Sequence, residues 1–400
     1  MFVYLDNSAT TKPYREVAED MGKVLMEDFG NPSSLHELGV KAEGRIKKAR
    51  KEAGELLGVS PEELIFTSCG TESDNMALLS GCQARARRGK RVITTRVEHP
   101  AILETCKVLR DRGFEVVEID VDSQGLVKLE ELKAAVNEDT ILISVMGVNN
   151  EVGTIQPIEE IGSFKESFKR EHGREILFHT DAVQSFSKVE FDLRNVDMLS
   201  ASAHKIHGPK GMGLLYMKKG LSIPAFINGG GQERKLRSGT ENVAGIVGFG
   251  TACKLAKANY QERMDHINNL RKHLLSGLMV EIKDVMVNGT VETLGFDEKI
   301  PQGKAVACPA VLNLSFLGTR GEVILHTLET EGIYVSTGSA CSSNKKGMSH
   351  VLKAMGRKDK EIEGAIRFSF SGENTLEEMD YVIEKTKVAV NRFRKLGSFR

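Results

Sequence analysis

The chain has 400 residues and a mass of 44.0 kDa, a length that predicts about two domains instead of one hydrophobic core. Its 55 basic and 55 acidic residues balance, which argues against the broad positive charge that nucleic acid or anionic membranes attract. No apolar run approaches the ~18 residues of a membrane span, and no leader-like segment opens the sequence. We therefore expect a cytoplasmic protein without nucleic-acid or membrane partners. Six cysteines without a C-x-x-C pair argue against a metal site or a disulfide framework.

Strand-like apolar runs alternate with longer helical patterns over about the first 250 residues. The predicted strands are 64–67, 91–95, 114–118, 141–145, 176–179 and 198–201. Segments such as 35–57 and 157–172 are long enough for helices between them. This alternation predicts an α/β domain with a largely parallel sheet.

A different pattern begins near Leu255, where apolar residues recur three or four apart along one long helix. A strand at 310–314, a helix near 321–329 and a terminal helix that opens with a capping box at Thr375 follow it. We therefore predict a large domain over 16–257 and a smaller C-terminal α+β domain over 258–400. Residues 1–15 form an N-terminal segment associated with the small domain.

Lys205 stands in the sequence Ser202-Ala203-His204-Lys205, just before a glycine-containing turn. A lysine there suits a Schiff base with a carbonyl cofactor, for which it must lose its proton through burial or a nearby cation. The ordinary alternative is a solvated surface charge, and the flanking pattern argues against it.

Two more polar segments follow predicted strands. Asp181 comes after the run 176–179, where a carboxylate suits the protonated nitrogen of a pyridine ring; the alternative is a helix N-cap. Gly70 and Thr71 open a helix after the run 64–67, where free backbone N–H groups and a hydroxyl form a phosphate cup. The alternative here is an ordinary capped helix.

His99 and Asn150 extend the same pattern. An imidazole at His99 suits ring stacking and proton transfer, although a histidine before proline is often a turn residue. Asn150 lies in an Asn-rich turn that is equally typical of an ordinary loop. The carboxyl ends of parallel strands share one edge of a sheet, so one ligand site is predicted there. Its members are Thr71, His99, Asn150, Asp181 and Lys205.

Cys341 lies in a small, polar stretch, 336–347, with no apolar anchor after the cysteine. Such a stretch buries little surface, so we expect a mobile arm that carries a thiol. Lys345, Lys346 or His350 would favour its thiolate form. The alternative is an incidental exposed cysteine.

Arg367 lies within the apolar, strand-like run 365–370. A buried arginine needs an anionic partner, and the carboxylate of an amino acid matches its planar fork. A structural ion pair with a protein carboxylate is the alternative.

These motifs together resemble the NifS/IscS-type cysteine desulfurases, in the class V aminotransferase group of pyridoxal phosphate (PLP) enzymes of fold type I. The resemblance runs nearly end to end. It is carried by the motifs above and by the segments 5–11, 30–36, 179–184, 202–211, 229–234 and 237–240. It implies PLP as the cofactor, L-cysteine as the substrate, and L-alanine with an enzyme-bound persulfide as the products.

The resemblance also implies a role for each residue. Lys205 would form the Schiff base and move the substrate α-proton, His99 would stack on the ring, and Cys341 would attack the substrate sulfur. Asn150 and Arg367 would bind the substrate carboxylate. Further cofactor contacts would come from Gly70, Thr71, Asn150, Asp181, Gln184, Ser202, His204 and, from the second subunit of a homodimer, Thr240.

Cys69 departs from the pattern, because a small residue, often glycine, is usual there. The long type of loop after Cys341 favours delivery of sulfur to a protein acceptor such as an iron–sulfur scaffold. The pathway stays open between general iron–sulfur assembly, nitrogenase maturation and tRNA thiolation. The alternative functions are selenocysteine lyase and aminotransferase.

Overall fold

A computed structural model describes residues 1–295, 298–337 and 348–397 of the chain, with side chains through residue 395. Its strands, in chain order, are β1 Val3–Tyr4, β2 Leu64–Thr67, β3 Arg91–Thr95, β4 Glu115–Ile119, β5 Thr140–Ser144, β6 Leu177–Asp181, β7 Met198–Ser202, β8 Gly213–Met217, β9 Val285–Asn288, β10 Val311–Phe316, β11 Ile333–Tyr334 and β12 Ala365–Ser369. Its α-helices are α1 Arg15–Met26, α2 Glu37–Leu57, α3 Gly70–Asn75, α4 Gly81–Arg85, α5 Pro100–Asp111, α6 Leu129–Ala135, α7 Ile158–His172, α8 Val243–Ala258, α9 Tyr260–Glu281, α10 Gly321–Thr330, α11 His350–Ala354, α12 Asp359–Glu363 and α13 Leu376–Gly397.

The larger sheet has seven strands in the order β2-β8-β7-β6-β5-β3-β4. Strands β3 to β7 pair in parallel, whereas β8 is antiparallel to both of its neighbours. The α/β class and the largely parallel sheet are therefore as predicted. The reversed strand β8 was not predicted. Because β8 is reversed, β2 runs in the same direction as β7.

The central strands of this sheet are buried on both faces. Every residue of β5, β6 and β7 is buried, and their side chains alternate between two cores. Leu177 packs with Met76 on one face, while Phe178 packs with Ile161 on the other. Helices cover both faces, which is why these strands read as apolar runs in the sequence.

The smaller sheet is antiparallel in the order β12-β10-β9, and α9 and α13 pack beside each other near it. Leu270, Phe316 and Phe368 belong to its core, which also receives Leu5 from the N-terminal segment. In addition, β1 pairs in parallel with β11. The N-terminal segment thus contacts the small sheet, and the division at 1–15, 16–257 and 258–400 stays a prediction.

Several element ends differ from the predicted ones by one or two residues. The long helix predicted from about Leu255 is interrupted at Asn259, which separates α8 from α9. Strand β6 extends to Asp181, so the carboxylate ends the strand instead of lying beyond it. The capping box before α13 is confirmed: Thr375 Oγ1 accepts from Glu378 N, and Glu378 Oε2 accepts from Thr375 N at 3.0 Å.

This topology brings the carboxyl ends of β2, β3, β5, β6 and β7 to one edge of the large sheet. The segments that follow them carry the residues singled out in the sequence. In the described ranges, no helix has the length and apolar character needed to cross a bilayer.

Candidate active site

A cleft of about 250 Å³ opens at this edge, between the large sheet and β12. The predicted site residues that line it are Gly70, Thr71, His99, Asn150, Asp181, Gln184, Ser202, His204, Lys205 and Arg367. Residues from distant parts of the sequence are therefore brought together as the shared strand direction requires.

Two predicted site residues do not line the cleft of this chain. Thr240 is exposed and lies with Thr67 and Ser68 at a separate pocket. Cys341 lies outside the described residues.

Lys205 is only partly exposed, in a short turn after β7. Its Nζ donates hydrogen bonds to the carbonyl oxygens of Ser8 and Ala9, the latter at 2.8 Å. The N-terminal segment therefore folds over the sheet edge and holds the amine in the cleft. Lys205 is not the solvated surface charge that an isolated lysine usually is.

Asp181 is buried at the end of β6. Its Oδ1 accepts a hydrogen bond from the backbone N–H of Val183 at 2.9 Å, a local contact of the kind made by a capping aspartate. Burial raises the pKa of Asp181 to about 6, while this hydrogen bond and the Lys205 cation oppose the rise. The carboxyl therefore both fixes the turn and faces the cleft.

His99 is the N-cap of α5, and its Nδ1 accepts a hydrogen bond from Ala101 N at 3.1 Å. The turn alternative is thus part of what the residue does. Burial lowers the pKa of His99 to about 4, and the charges of Lys205 and His350 add to the effect. The imidazole is therefore neutral at pH 7, with Nδ1 as an acceptor.

Gly70 and Thr71 begin α3 directly after β2. A Cβ at Gly70 would come within 2.6 Å of the Val183 side chain, so only glycine allows this close approach of the helix start to the segment after β6. Thr71 is exposed at the cleft, where it leaves its hydroxyl accessible. The helix start therefore forms a cradle beside Asp181.

Ser202 and His204 lie beside this cradle. Ser202 is buried, and burial lowers the pKa of His204 to about 4, so that its imidazole is neutral at pH 7. The Nδ1 atom of His204 lies 3.2 Å from Thr10 Oγ1, a second contact with the N-terminal segment.

Gln184 carries an unsatisfied acceptor. Its Nε2 donates to Ser8 O at 2.9 Å, whereas its buried Oε1 has no hydrogen-bond partner. A buried amide oxygen usually finds a donor, so this atom marks a place for a ligand group that donates a hydrogen bond.

Arg367 reaches the cleft from β12 and is 2% exposed. Its Nη2 donates to Asp6 Oδ1 at 2.8 Å, and its Nη1 donates to the backbone oxygen of Asn150 at 3.0 Å. The structural ion pair that the sequence left as an alternative is therefore present. The arginine also lines the cleft, so its fork stands where an incoming carboxylate enters.

Sequence reasoning gave no defined part in the site to several residues in the cleft or next to it. Asp6 and Ser8 belong to the segment 5–11, which carried the resemblance without a stated part in the site. Glu151, directly after Asn150, accepts a hydrogen bond from Ser349. His350, which the sequence suggested only as a group that favours the Cys341 thiolate, also lines the cleft, with its Nε2 at 3.0 Å from Glu98 O. For Glu151, the available signal was its position directly after Asn150 in the sequence.

Comparisons with known proteins agree with the family resemblance that the sequence motifs indicate. The family model for class V aminotransferases matches residues 3–382. A protein named cysteine desulfurase IscS from Clostridium botulinum is 42% identical over 397 residues, which cover 99% of this chain and 96% of that protein. A solved structure titled NifS-like protein superposes with a TM-score of 0.88 at 42% identity, covering 98% of this chain and 100% of the other. Another, titled SspA in complex with cysteine, has a TM-score of 0.76 at 31% identity, covering 93% and 100%.

Proposed function

The chain belongs to the class V aminotransferase family and is a cysteine desulfurase, and on this premise we propose how its residues divide the work. L-cysteine is the substrate, L-alanine is released, and the sulfur passes to Cys341 as a persulfide. The observation that carries the proposal is the meeting of Lys205, Asp181 and His99 in one cleft at the sheet edge.

The residues of the cleft fit pyridoxal phosphate. The orphaned, buried Oε1 of Gln184 suits the phenolic oxygen side of the ring, and the Gly70 cradle admits a phosphate group close to backbone N–H groups. The residues that would hold the cofactor are Lys205, Asp181, Gln184, His99, Asn150, Gly70, Thr71, Ser202 and His204. When bound, PLP supplies an electron sink for the substrate α-carbon.

The environment of the cleft sets the charge states of the three groups nearest to the proposed chemistry, His99, Asp181 and Lys205. His99 is neutral at pH 7 because burial lowers its pKa to about 4, so it accepts hydrogen bonds and does not add a positive charge. Asp181, with its local N–H donor and the nearby Lys205 cation, supplies the anion for a pyridine nitrogen. Lys205 is the amine that moves the substrate α-proton.

Arg367 and Asn150 bind the substrate carboxylate in this proposal. The fork of Arg367 presents its planar N–H groups at the cleft, where a carboxylate can share or replace Asp6. Asp6 holds the guanidinium in place before substrate arrives and satisfies a charge that would otherwise be buried alone.

A homodimer accounts for two features of the surface. Thr240 is exposed and does not line its own cleft, which agrees with a contact to the cofactor of a second subunit. Large apolar side chains are also exposed between α1 and the first turns of α2: Leu25, Met26, Phe29, Leu35, Leu38 and Val40. A patch of this kind is typical of a subunit interface.

The persulfide is delivered to a protein acceptor, such as an iron–sulfur scaffold. The relative from Clostridium botulinum carries the name IscS, and the long loop around Cys341 in the sequence supports hand-over to another protein. Plain transamination needs no such cysteine, and the relatives named cysteine desulfurase do not favour the selenocysteine lyase alternative.

The function is tested with L-cysteine and a reductant, by measuring alanine and sulfide in the same reaction. Equal amounts of both are expected, and Cys341→Ser should keep the yellow PLP chromophore but lose sulfide release. Cys69→Ser is the matched thiol replacement, since Cys69 is the cysteine that lines the cleft among the described residues. If Cys341→Ser desulfurates at the wild-type rate, the nucleophile is assigned to the wrong residue.

A further inference from the structure

A second buried carboxyl group lies beneath the proposed cofactor site. Asp74 lies on α3, is 1% exposed and borders the cleft. Its Oδ1 has no hydrogen-bond partner. A buried carboxylate needs partners to stay charged, so the surroundings of Asp74 decide its state.

A row of polar side chains crosses the sheet next to Asp74. Ser144 and His179 are paired residues of β5 and β6, and the His179 Nδ1 lies 2.9 Å from Ser144 Oγ. On the other side, His179 Nε2 lies 2.9 Å from Ser200 Oγ on β7. The same nitrogen is 3.6 Å from Asp74 Oδ1, which is too long for a hydrogen bond. Burial lowers the pKa of His179 to about 3, so this imidazole is neutral and gives Asp74 no positive partner.

The acidic groups around Asp74 oppose its ionisation when they are themselves charged. Asp181 and Glu98 both face it, and each raises its pKa, as Cys69 does more weakly; burial is the largest cause. The Ser200 hydroxyl is the polar group that favours the charged form. No lysine or arginine forms an ion pair with Asp74 in the described part of the chain.

Glu98 is itself a weak acid in this setting. Burial raises its pKa to about 8, although Thr95 Oγ1 at 2.7 Å and Met146 N at 3.0 Å both donate to its Oε1. It is therefore mostly neutral at pH 7. The question of which carboxyl carries the local negative charge thus lies between Asp74 and Asp181.

Asp181 has what Asp74 lacks. Its Oδ1 accepts the Val183 N–H, and Lys205 stands near enough to lower its pKa. Two neighbouring buried carboxylates resist ionising together, so the proton stays on Asp74, which has the Ser200 hydroxyl but neither a backbone N–H donor nor a nearby cation. We propose that Asp74 is a neutral carboxylic acid that leaves Asp181 as the single anion beneath the cofactor ring, and that it is thereby a positioning residue for the cofactor.

This inference rests on the proposed function, because it assumes PLP in the cleft. One anion then matches one protonated ring nitrogen. An ionised Asp74 would add a second negative charge on the same helix whose first residues form the phosphate cradle, and it would repel the phosphate.

The test compares three variants of the holoenzyme: Asp74→Ala, Asp74→Asn and Asp181→Asn. Asp74→Ala should lose cofactor about tenfold faster than the wild type, because it leaves polar partners unsatisfied, and should shift the pH midpoint of the cofactor absorbance. Asp74→Asn should restore both values towards the wild type, since an amide has the shape and the neutrality of the acid. Asp181→Asn should be impaired in both, since neutrality is not what that position needs.

Two results would overturn the inference. If Asp74→Asn is as impaired as Asp74→Ala, the position needs a negative charge; if Asp74→Ala behaves like the wild type, it has no positioning role. Infrared difference spectra between the wild type and Asp74→Asn give a second reading that does not depend on whether Asp74→Ala folds. The carbonyl stretch of a protonated carboxylic acid should disappear in Asp74→Asn, and its absence from the difference would refute the neutral acid.

The two levels of the proposal fail in different ways. A wild-type protein that binds no PLP and releases no alanine from cysteine refutes the proposed function, whatever the variants do. A wild type that turns over normally while Asp74→Asn loses its cofactor refutes the role of Asp74 alone.

Discussion

The two sides of the cleft are built on different principles. On the sheet side, Asp181 and His99 accept hydrogen bonds from backbone N–H groups two residues further along the chain. On the opposite side, Arg367 pairs with Asp6, which lies 361 residues away in sequence. Local turns at strand ends fix Asp181 and His99, although the N-terminal segment also holds Lys205 on this side. The Arg367 side, in contrast, exists only once the N-terminal segment has joined the small sheet.

The two sides also differ in what they leave unsatisfied. The sheet side keeps a buried acceptor without a partner, Gln184 Oε1, and is therefore prepared for a ligand that stays bound. The Arg367 side already neutralises its charge with a protein carboxylate, so an incoming substrate must share that partner. Changes on the sheet side should therefore affect the chemistry, and changes on the Arg367 side should affect substrate binding.

The largest effect is expected at the amine of the sheet side. Lys205→Ala should lower the rate of alanine formation by about 10²–10⁴-fold, because the group that moves the substrate proton is lost. The measurement is kcat with L-cysteine after PLP has been added in excess. Lys210→Ala, an exposed lysine five positions on, is the matched control and should keep its rate. If Lys205→Ala keeps the wild-type kcat, the sheet side does not carry the chemistry, and the proposed difference between the two sides is wrong.

Acid should weaken the junction between the N-terminal segment and the sheet side. His207 is buried, its ring nitrogen Nδ1 lies 2.8 Å from Lys12 O, and burial lowers its pKa to about 4 from 6.5. The neutral form is therefore the stable one, and its contribution of about 3 kcal/mol is lost as pH falls from 6.5 towards 4.

His207→Gln keeps a hydrogen-bond donor but cannot take up a proton. We expect its melting temperature to fall less steeply than that of the wild type over this pH range. Thermal unfolding of both proteins at several pH values measures the difference. Equal slopes would mean that His207 does not titrate in the folded protein at the pH given by its burial.

Substitutions at the ion pair should separate substrate binding from structure. Arg367→Lys keeps the charge but loses the planar fork, so KM for L-cysteine should rise about 10–100-fold, corresponding to about 1.5–3 kcal/mol, with a smaller change in kcat. Asp6→Asn is the partner variant. It should lower the melting temperature, and its rise in KM should be smaller than that of Arg367→Lys. Steady-state kinetics and thermal unfolding of both proteins make the comparison. An unchanged KM in Arg367→Lys would leave the arginine with a structural role only.

The smallest effect is expected far from both sides. Thr375→Ala removes the side-chain acceptor at the start of α13 and should cost about 1 kcal/mol of unfolding free energy, with kcat and KM unchanged. Urea unfolding and steady-state kinetics test this pair of expectations. A changed KM would show that the small domain transmits its stability to the cleft.

The sequence was most informative where chemistry follows strand ends. The runs 64–67 and 91–95 were placed with the observed bounds because buried strands are short and apolar, and the polar residues after them lie at the same edge. Strand β8 was not predicted, and its reversed direction could not have been, since pairing direction is not written in an apolar run of five residues. The break between α8 and α9 at Asn259 escaped for a similar reason, because an amphipathic period continues across one non-helical residue.

The site was harder to predict where its partners are far apart in sequence. The ion pair between Arg367 and Asp6 and the contacts of Lys205 with Ser8 and Ala9 depend on the N-terminal segment crossing to the cleft. In the sequence, Asp74 is one polar residue near the start of a helix, and its neighbours along the chain do not indicate that its carboxyl group is neutral. Its state depends on Asp181, His179 and Glu98, which other strands and loops bring to it.

The identity of the amine that carries the cofactor tests the whole arrangement most directly. The holoenzyme is reduced with borohydride, digested, and its peptides are sequenced by mass spectrometry. The pyridoxyl group should be found on Lys205, next to His204 in the peptide that follows β7. A label on another lysine, such as Lys188 in the neighbouring pocket, or no labelled peptide from a yellow holoenzyme, would contradict the placement of the reaction at this sheet edge.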